Sequence, residues 1–411
     1  MSEFLPIYKK PLASIKEPVI SEKFWEIAEE KFDNKEYKEA IIAVINYINR
    51  DILKKIDKKD DIKISQMHGS IEINIDITNS EFRLYIPFLK IDKNTNVVAL
   101  LRRVEEVNFS YFDLAYIELN EDKLEISYSA PLDLCKPIKI YNLIKDVTFL
   151  ADEYANEFIK KYNAKFLKEP KVKHLTQKEQ EEVYREIKRV IKEYKDYSLY
   201  FKEKQKDAYC WDIGVISLLK LSNMPYLNGY LQYDIIKSIR VMYDGDLDFD
   251  YRILKAKEQI DEIANLSKEE LLSNLYHTEL FTSMLFFSSE DIIKDRLEKS
   301  IETLQKYEKD ANYFAISYYL QTVFLKLIYN YNLSSVYKRE IENCLVKISG
   351  KKPKEASSKL IKLFNKLYNK ELNSSFLGVF FQKSWNYLYA FSLAIFIAVI
   401  ALSIFQGLSR W

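Results

Sequence analysis

Residues able to carry chemistry are concentrated in a few places. Four aspartates alternate through Asp244-Gly245-Asp246-Leu247-Asp248-Phe249-Asp250. Ca²⁺ and Mg²⁺ take oxygen ligands, so Asp244, Asp246, Asp248 and Asp250 as metal ligands would make this chain a metal-dependent hydrolase or a nucleotide-handling enzyme. The spacing does not fit an EF-hand, which requires glycine at the sixth position and glutamate at the twelfth. Counted from Asp244, those positions hold Phe249 and Lys255. The segment reads instead as a turn between helices, with Asp248 or Asp250 capping the second. The histidines, His68, His174 and His277, stand in no ligand spacing with cysteine or acid, and His277 and Glu279 point to different faces of a helix. Cys210-Trp211-Asp212 offers a thiol with no histidine nearby in sequence, the usual situation of a buried cysteine. Phosphate-cradling, zinc-protease and nucleophile-elbow motifs are absent from the sequence. No catalytic residue, metal or cofactor is expected.

Composition narrows the partners. Lys plus Arg number 62 and Asp plus Glu 61, so a nucleic-acid binder with a basic excess is not expected. The three cysteines, Cys135, Cys210 and Cys344, are far apart and odd in number, which argues against a disulfide framework. The first residues lack the apolar core of a signal peptide. Only seven glycines in 411 residues favour a helix-rich chain with few tight turns.

From Tyr387 to Phe405 nineteen residues carry no charge, enough to cross a bilayer core as a helix at about 1.5 Å per residue. Trp385, Tyr387 and Tyr389 crowd one end and Trp411 follows the other, as interfacial aromatics do. Lys366, Lys370 and Lys383 precede the span and Arg410 alone follows it, which places the preceding bulk in the cytoplasm. The expectation is a single-pass, tail-anchored chain. Just before the anchor, Leu360, Ile361, Leu363, Phe364, Leu367 and Tyr368 share one helical face. Lys359, Lys362, Lys366 and Lys370 share the other. This segment fits either an interfacial helix on anionic lipid or the last helix of a bundle.

The elements that must position these residues follow from periodicity. Residues 1–19 read as an extension and 20–166 as an α+β unit. Glu22–Lys31 and Tyr37–Ile56 have helical spacing, interrupted at Asp33-Asn34. Ile71, Ile73, Ile75 and Ile77 alternate with polar residues, then Phe82, Leu84 and Ile86, with Pro87 closing that strand. Val97–Val107 is a helix. Ala115–Leu119 and Leu124–Tyr128 form a hairpin about Asn120-Glu121-Asp122, and Pro137 opens a helix to Tyr162. A lysine-rich hinge, 163–177, leads to helical periodicity through 375. Expected helices there include Lys268–Phe287 and Ser289–Lys309, in an irregular bundle. Residues 376–411 hold the anchor.

The order helix, strands, helix, hairpin, helix resembles the type III secretion chaperone-like fold, and within it the YbjN-like proteins. The residues that carry the resemblance are Val98-Ala99-Leu100-Leu101-Arg102-Arg103-Val104 with Asn108, Ala115-Tyr116-Ile117-Glu118-Leu119, Asp122-Lys123-Leu124, and Ala151-Asp152. It implies protein binding, often through dimers, and no catalytic residues. With three aromatics after Asn108 (Phe109, Tyr111 and Phe112) as anchors for a protein partner or a second copy, the sequence reads as a membrane-tethered, non-enzymatic binding or adaptor module.

Overall fold

The computed structural model describes residues 4–11, 18, 20, 23–55, 61–170, 172–283 and 285–372. It is mixed α and β, with an antiparallel sheet and a helical bundle. The expected membrane span lies outside the described residues. Among those described, no helix is long and apolar enough to cross a membrane.

The chain divides into two compact units. The first comprises Lys9–Phe287 with Tyr329–Tyr331; the second comprises Glu3–Tyr8, Ser288–Ile328 and the chain from Asn332. The expected division at 166/167 therefore falls inside the first unit.

The first unit opens with α1 (Lys23–Asp33) and α2 (Tyr37–Ile48), then β1 (Ile62–His68), β2 (Ile71–Ile77), β3 (Glu81–Lys90), α3 (Val97–Ser110), β4 (Tyr116–Asn120), β5 (Lys123–Pro131), α4 (Pro137–Tyr162) and β6 (Lys165–Phe166). The main sheet runs β1-β2-β3-β5-β4, all antiparallel, with β6 also pairing β3. Alternation does the sorting: Ile71, Ile73, Ile75, Ile77, Phe82, Leu84, Ile86, Leu124 and Ile126 are all buried on one face. Helix α4 covers that face with Ile140, Leu143, Ile144, Val147, Ala151, Tyr154 and Phe158, spaced three and four apart.

Three expectations for this region are corrected. β1 was not foreseen, although Ile62 and Ile64 alternate with exposed Lys63 and Ser65. α2 stops at Ile48 instead of Ile56, capped by the extended backbone of Asn49. Pro87 does not end β3. The β2–β3 pairing stops at Asn74–Tyr85, the β3–β5 register shifts between Pro87 and Leu89, and β6 takes the place beside β3 at Leu89 and Lys90. Proline, which lacks a ladder donor, thus sits where one neighbouring strand has departed and the next has not begun.

The same unit continues through the short strand β7 (Lys173–His174), then α5 (Gln177–Glu203), α6 (Ala208–Ser222), α7 (Gly229–Tyr243), α8 (Phe249–Asn265) and α9 (Lys268–Ser273). A capping box of Thr176 and Glu179 starts α5. α6 is buried all round from Ile213 to Ser222, including Lys220, whose ammonium donates to the Glu193 carboxylate at 2.6 Å. The expected helix 268–287 ends at Ser273. The chain then runs through β8 (Tyr276–His277), which pairs with β7, into an extended stretch that places Phe281, fully buried, among the core residues of the α+β sheet.

The second unit holds α10 (Glu290–Glu298), α11 (Ile301–Lys309), α12 (Tyr313–Asn330), α13 (Ser335–Ile348) and α14 (Pro353–Tyr368). The single helix expected over 289–309 breaks at Lys299-Ser300, where Ser300 is buried. Residues 4–8, expected as part of an extension, belong to this unit and place Leu5 and Tyr8 in its interior. Leu5 exchanges backbone bonds with Lys351 and Gly350, Tyr8 bonds Ser349, and both Leu5 and Tyr8 are buried.

Because Phe281 contributes to the sheet's core from 115 positions beyond Phe166, the last residue of β6, the α+β part is incomplete without it. Phe281→Ala is expected to cost about 3–5 kcal/mol by leaving a cavity, read as a shift of the urea midpoint followed through the sheet's signal.

Candidate protein-binding site

The site is built where the end of α3 meets the edge strand β4. Asn96 caps α3 by accepting from the Ala99 amide at 3.4 Å, and Leu100, Val104 and Val107 turn inward. The opposite face therefore carries Val98, Arg102, Glu105 and Phe109 into solvent. Phe109 is 93% exposed and Val98 64%.

An edge strand presents unpaired backbone groups to any passing strand. In the β4–β5 ladder, joined by a two-residue turn with Glu121 at φ 57°, the backbone groups of Ile117 and Leu119 face outward. Asn108 meets those of Ile117: its Nδ2 donates to the Ile117 carbonyl at 2.9 Å and its Oδ1 accepts from the Ile117 amide at 2.7 Å. One side-chain amide thus matches a peptide unit and fixes the last turn of α3 against β4. The residue next to it, Phe109, is held beside the edge, where Tyr116 and Leu119 are also exposed.

Behind this edge lies a charged network. Glu157 of α4 is buried. Arg103 of α3 donates to it at 3.1 and 3.4 Å, Lys161 at 3.2 Å and the Tyr233 hydroxyl of α7 at 3.1 Å. Burial raises the Glu157 carboxyl, but the Arg103 and Lys161 cations more than offset this and hold it below the usual range. Arg103 also lies over the Tyr154 ring at 5.5 Å, and Tyr154 packs against Tyr111 with centroids 5.8 Å apart.

The aromatics expected as anchors therefore separate. Phe109 faces solvent, Tyr111 is half exposed against Tyr154, and Phe112 is a core residue at 8% exposure. Phe112 is not available to a partner, because the chain after α3 turns inward to bring Ala115 and Ile117 under the sheet. Val98 and Leu119 join the surface; sequence reading missed their exposure because Val98 lies in an apolar run and Leu119 alternates with Ile117 along a strand, both patterns of core residues.

The other candidates are placed as follows. Asp244 accepts from the Asp246 amide and Asp248 caps α8 by accepting from Asp250 and Tyr251, all four aspartates being exposed. Among the described residues no three His, Cys, Asp or Glu side chains converge to hold a metal ion. Cys210 is buried, and that burial raises its thiol, away from a reactive thiolate. The apolar face of α14 (Leu360, Leu363, Phe364 and Leu367) is buried in the second unit, where α10 and α13 pack on the helix. That face is not free to lie on lipid. Lys362 is exposed, Lys366 half-buried, and Lys370 pairs with Asp291. Lys383, Trp385, Tyr387 and Trp411 lie outside the described residues. No protein family and no curated protein matches the chain.

The two phenylalanines make opposite predictions. Phe112→Ala is expected to destabilise the chain by about 3–5 kcal/mol through cavity formation. Phe109→Ala is expected to stay within about 0.5 kcal/mol of the parent, as exposed substitutions do. Chemical denaturation of both variants checks the contrast.

Proposed function

We propose that this chain acts by binding protein, presenting the α3–β4 edge to a partner or to a second copy of itself, and that residues 387–405 tether it to a membrane with the bulk on the cytoplasmic side. One observation supports the binding reading: Phe109, an aromatic side chain at 93% exposure, follows directly on Asn108, whose side chain ties the last turn of α3 to the edge strand β4. The backbone that carries it is already tied down, so less ordering of the chain is needed on docking. Aromatic anchors also supply most of the energy at interfaces. The element order, with Asn108 and Asp152 in structural roles, supports kinship with the secretion chaperone-like fold, whose members bind proteins. The tether rests on the uncharged run and its aromatic flanks.

Phe109→Ser in the full chain is expected to weaken association at least tenfold, the effect of a central aromatic anchor, while leaving the unfolding midpoint unchanged. Sedimentation velocity reads self-association, and affinity capture with mass spectrometry reads a different partner. Unchanged sedimentation together with an unchanged set of captured proteins would remove the edge from the reading. Independently, alkaline carbonate is expected to leave the full chain on membranes and to release a version ending at Ser375. Full release of the intact chain would refute the tether.

A further inference from the structure

Residues 278–283 are held to the α+β part by contacts with backbone atoms. The Gly69 amide donates to the Glu279 carbonyl at 3.0 Å, and the Thr278 hydroxyl donates to the Gly69 carbonyl at 2.8 Å. Two buried side chains then grip one peptide unit each side of Phe281. Asn49 Nδ2, at the end of α2, donates to the Phe281 carbonyl at 3.1 Å, and His68 Nδ1, at the end of β1, accepts from the Phe281 amide at 3.2 Å. Asn49 is oriented for this by accepting from the Asp51 amide at 3.1 Å. His68 is 1% exposed and packs near Phe149.

The turn that presents these groups is tightly made. Gly69 has φ +59°, and a Cβ there would lie 2.5 Å from the Asp152 carboxylate. That carboxylate accepts from the Ser70 amide at 2.7 Å and the Ser70 hydroxyl at 2.6 Å. The turn therefore stays fixed while the segment laid over it depends on a few bonds.

We propose that residues 278–283 form an acid-released strap: protonation of His68 converts its acceptor nitrogen into a donor, ends its bond to the Phe281 amide, and frees the segment from the β1–β2 turn. A neutral imidazole offers one acceptor and one donor, whereas imidazolium offers two donors. Protonated in place, His68 would direct an N–H at the Phe281 N–H and carry a charge in a dry site. The ionisable groups on the neighbouring elements do not relieve this. Asp152 of α4 is engaged by Ser70, Glu153 of α4 by Arg240, Glu72 of β2 by Lys168, and Asp51 after α2 by Lys54. Glu279 of the strap is exposed to solvent.

The direction in pH follows. Burial lowers His68 to about 4 with the strap closed, against about 6.5 once it is open to water. The open form binds more protons between these values, so closure is fully favoured above about pH 6.5 and is lost progressively as pH falls toward 4. Between pH 7.5 and 5.0 the opening equilibrium shifts by about 30-fold.

Hydrogen exchange of the full chain, corrected for intrinsic rates, tests this at the Phe281 amide. The parent is expected to lose about 30-fold in protection between pH 7.5 and 5.0. His68→Asn keeps an acceptor oxygen near the Nδ1 position and does not titrate, so it is expected to hold its protection within about threefold over the same range. Undiminished protection in the parent at pH 5.0, or an equal acid loss in His68→Asn, would overturn the proposal. Histidine NMR of the parent supplies a reading that needs no variant. A His68 resonance that titrates in step with loss of Phe281 protection supports the strap, and one that titrates while Phe281 stays protected contradicts it.

Discussion

A carboxylate taken out of water must be met by donors, and helix α4 carries three such groups within six residues. Asp152, Glu153 and Glu157 recruit their partners from three other elements: Ser70 of the β1–β2 turn, Arg240 and Tyr233 of α7, and Arg103 of α3. Arg240 grips Glu153 through two parallel bonds of 3.1 Å, the fork geometry that fixes orientation as well as distance. Removing one partner of a buried pair costs about 3–5 kcal/mol because the remaining charge stays behind. The relation of sheet, α3 and α7 to α4 is thereby set by electrostatic necessity as much as by apolar packing. This is also why the first unit does not end at the lysine-rich hinge: α7 is bound to α4 through Tyr233, which donates to the buried Glu157 carboxylate, and through the more exposed Arg240–Glu153 pair.

The exposed edge depends on the same network. Arg103 stands four residues before Val107 and five before Asn108, and its pairing with Glu157 holds the inner face of α3 down on α4. With that face committed, the outer face of α3, Phe109 included, is turned to solvent.

Much of the architecture was legible because periodicity is a local property. The alternation at Ile71–Ile77 and the three-and-four spacing of α4 gave the sheet face and its cover directly, and the starts of α10 and α14 followed from Ser289 and Pro353. What failed did so where distant residues decided the outcome. Residues 274–287 have helix-compatible composition with no glycine or proline, yet Asn49 and His68, more than 200 positions earlier, take up both backbone groups of Phe281, and residues 278–283 are not helical. Phe109 and Phe112 are chemically the same in a linear reading; only the inward turn toward Ala115 separates them. The lysines and apolar residues of α14 had an amphipathic pattern that suits water and core as well as water and lipid, and the packing of α10 and α13 resolved it.

The short segment at residues 4–8 has a consequence for how the chain is made. Its partners are Ser349, Gly350 and Lys351, 341 positions away for the Tyr8–Ser349 pair. At roughly 5–20 residues per second, a ribosome needs some tens of seconds to travel between them. Throughout that interval Leu5 and Tyr8 are apolar side chains without their site, available to chaperones or to a neighbouring nascent chain. The second unit can close only once Ser349–Lys351 have been made, whereas the strands of the sheet and α4 have left the ribosome well before that. Vectorial synthesis thus gives the two units different birth times, and the late one is the unit that adjoins the apolar tail.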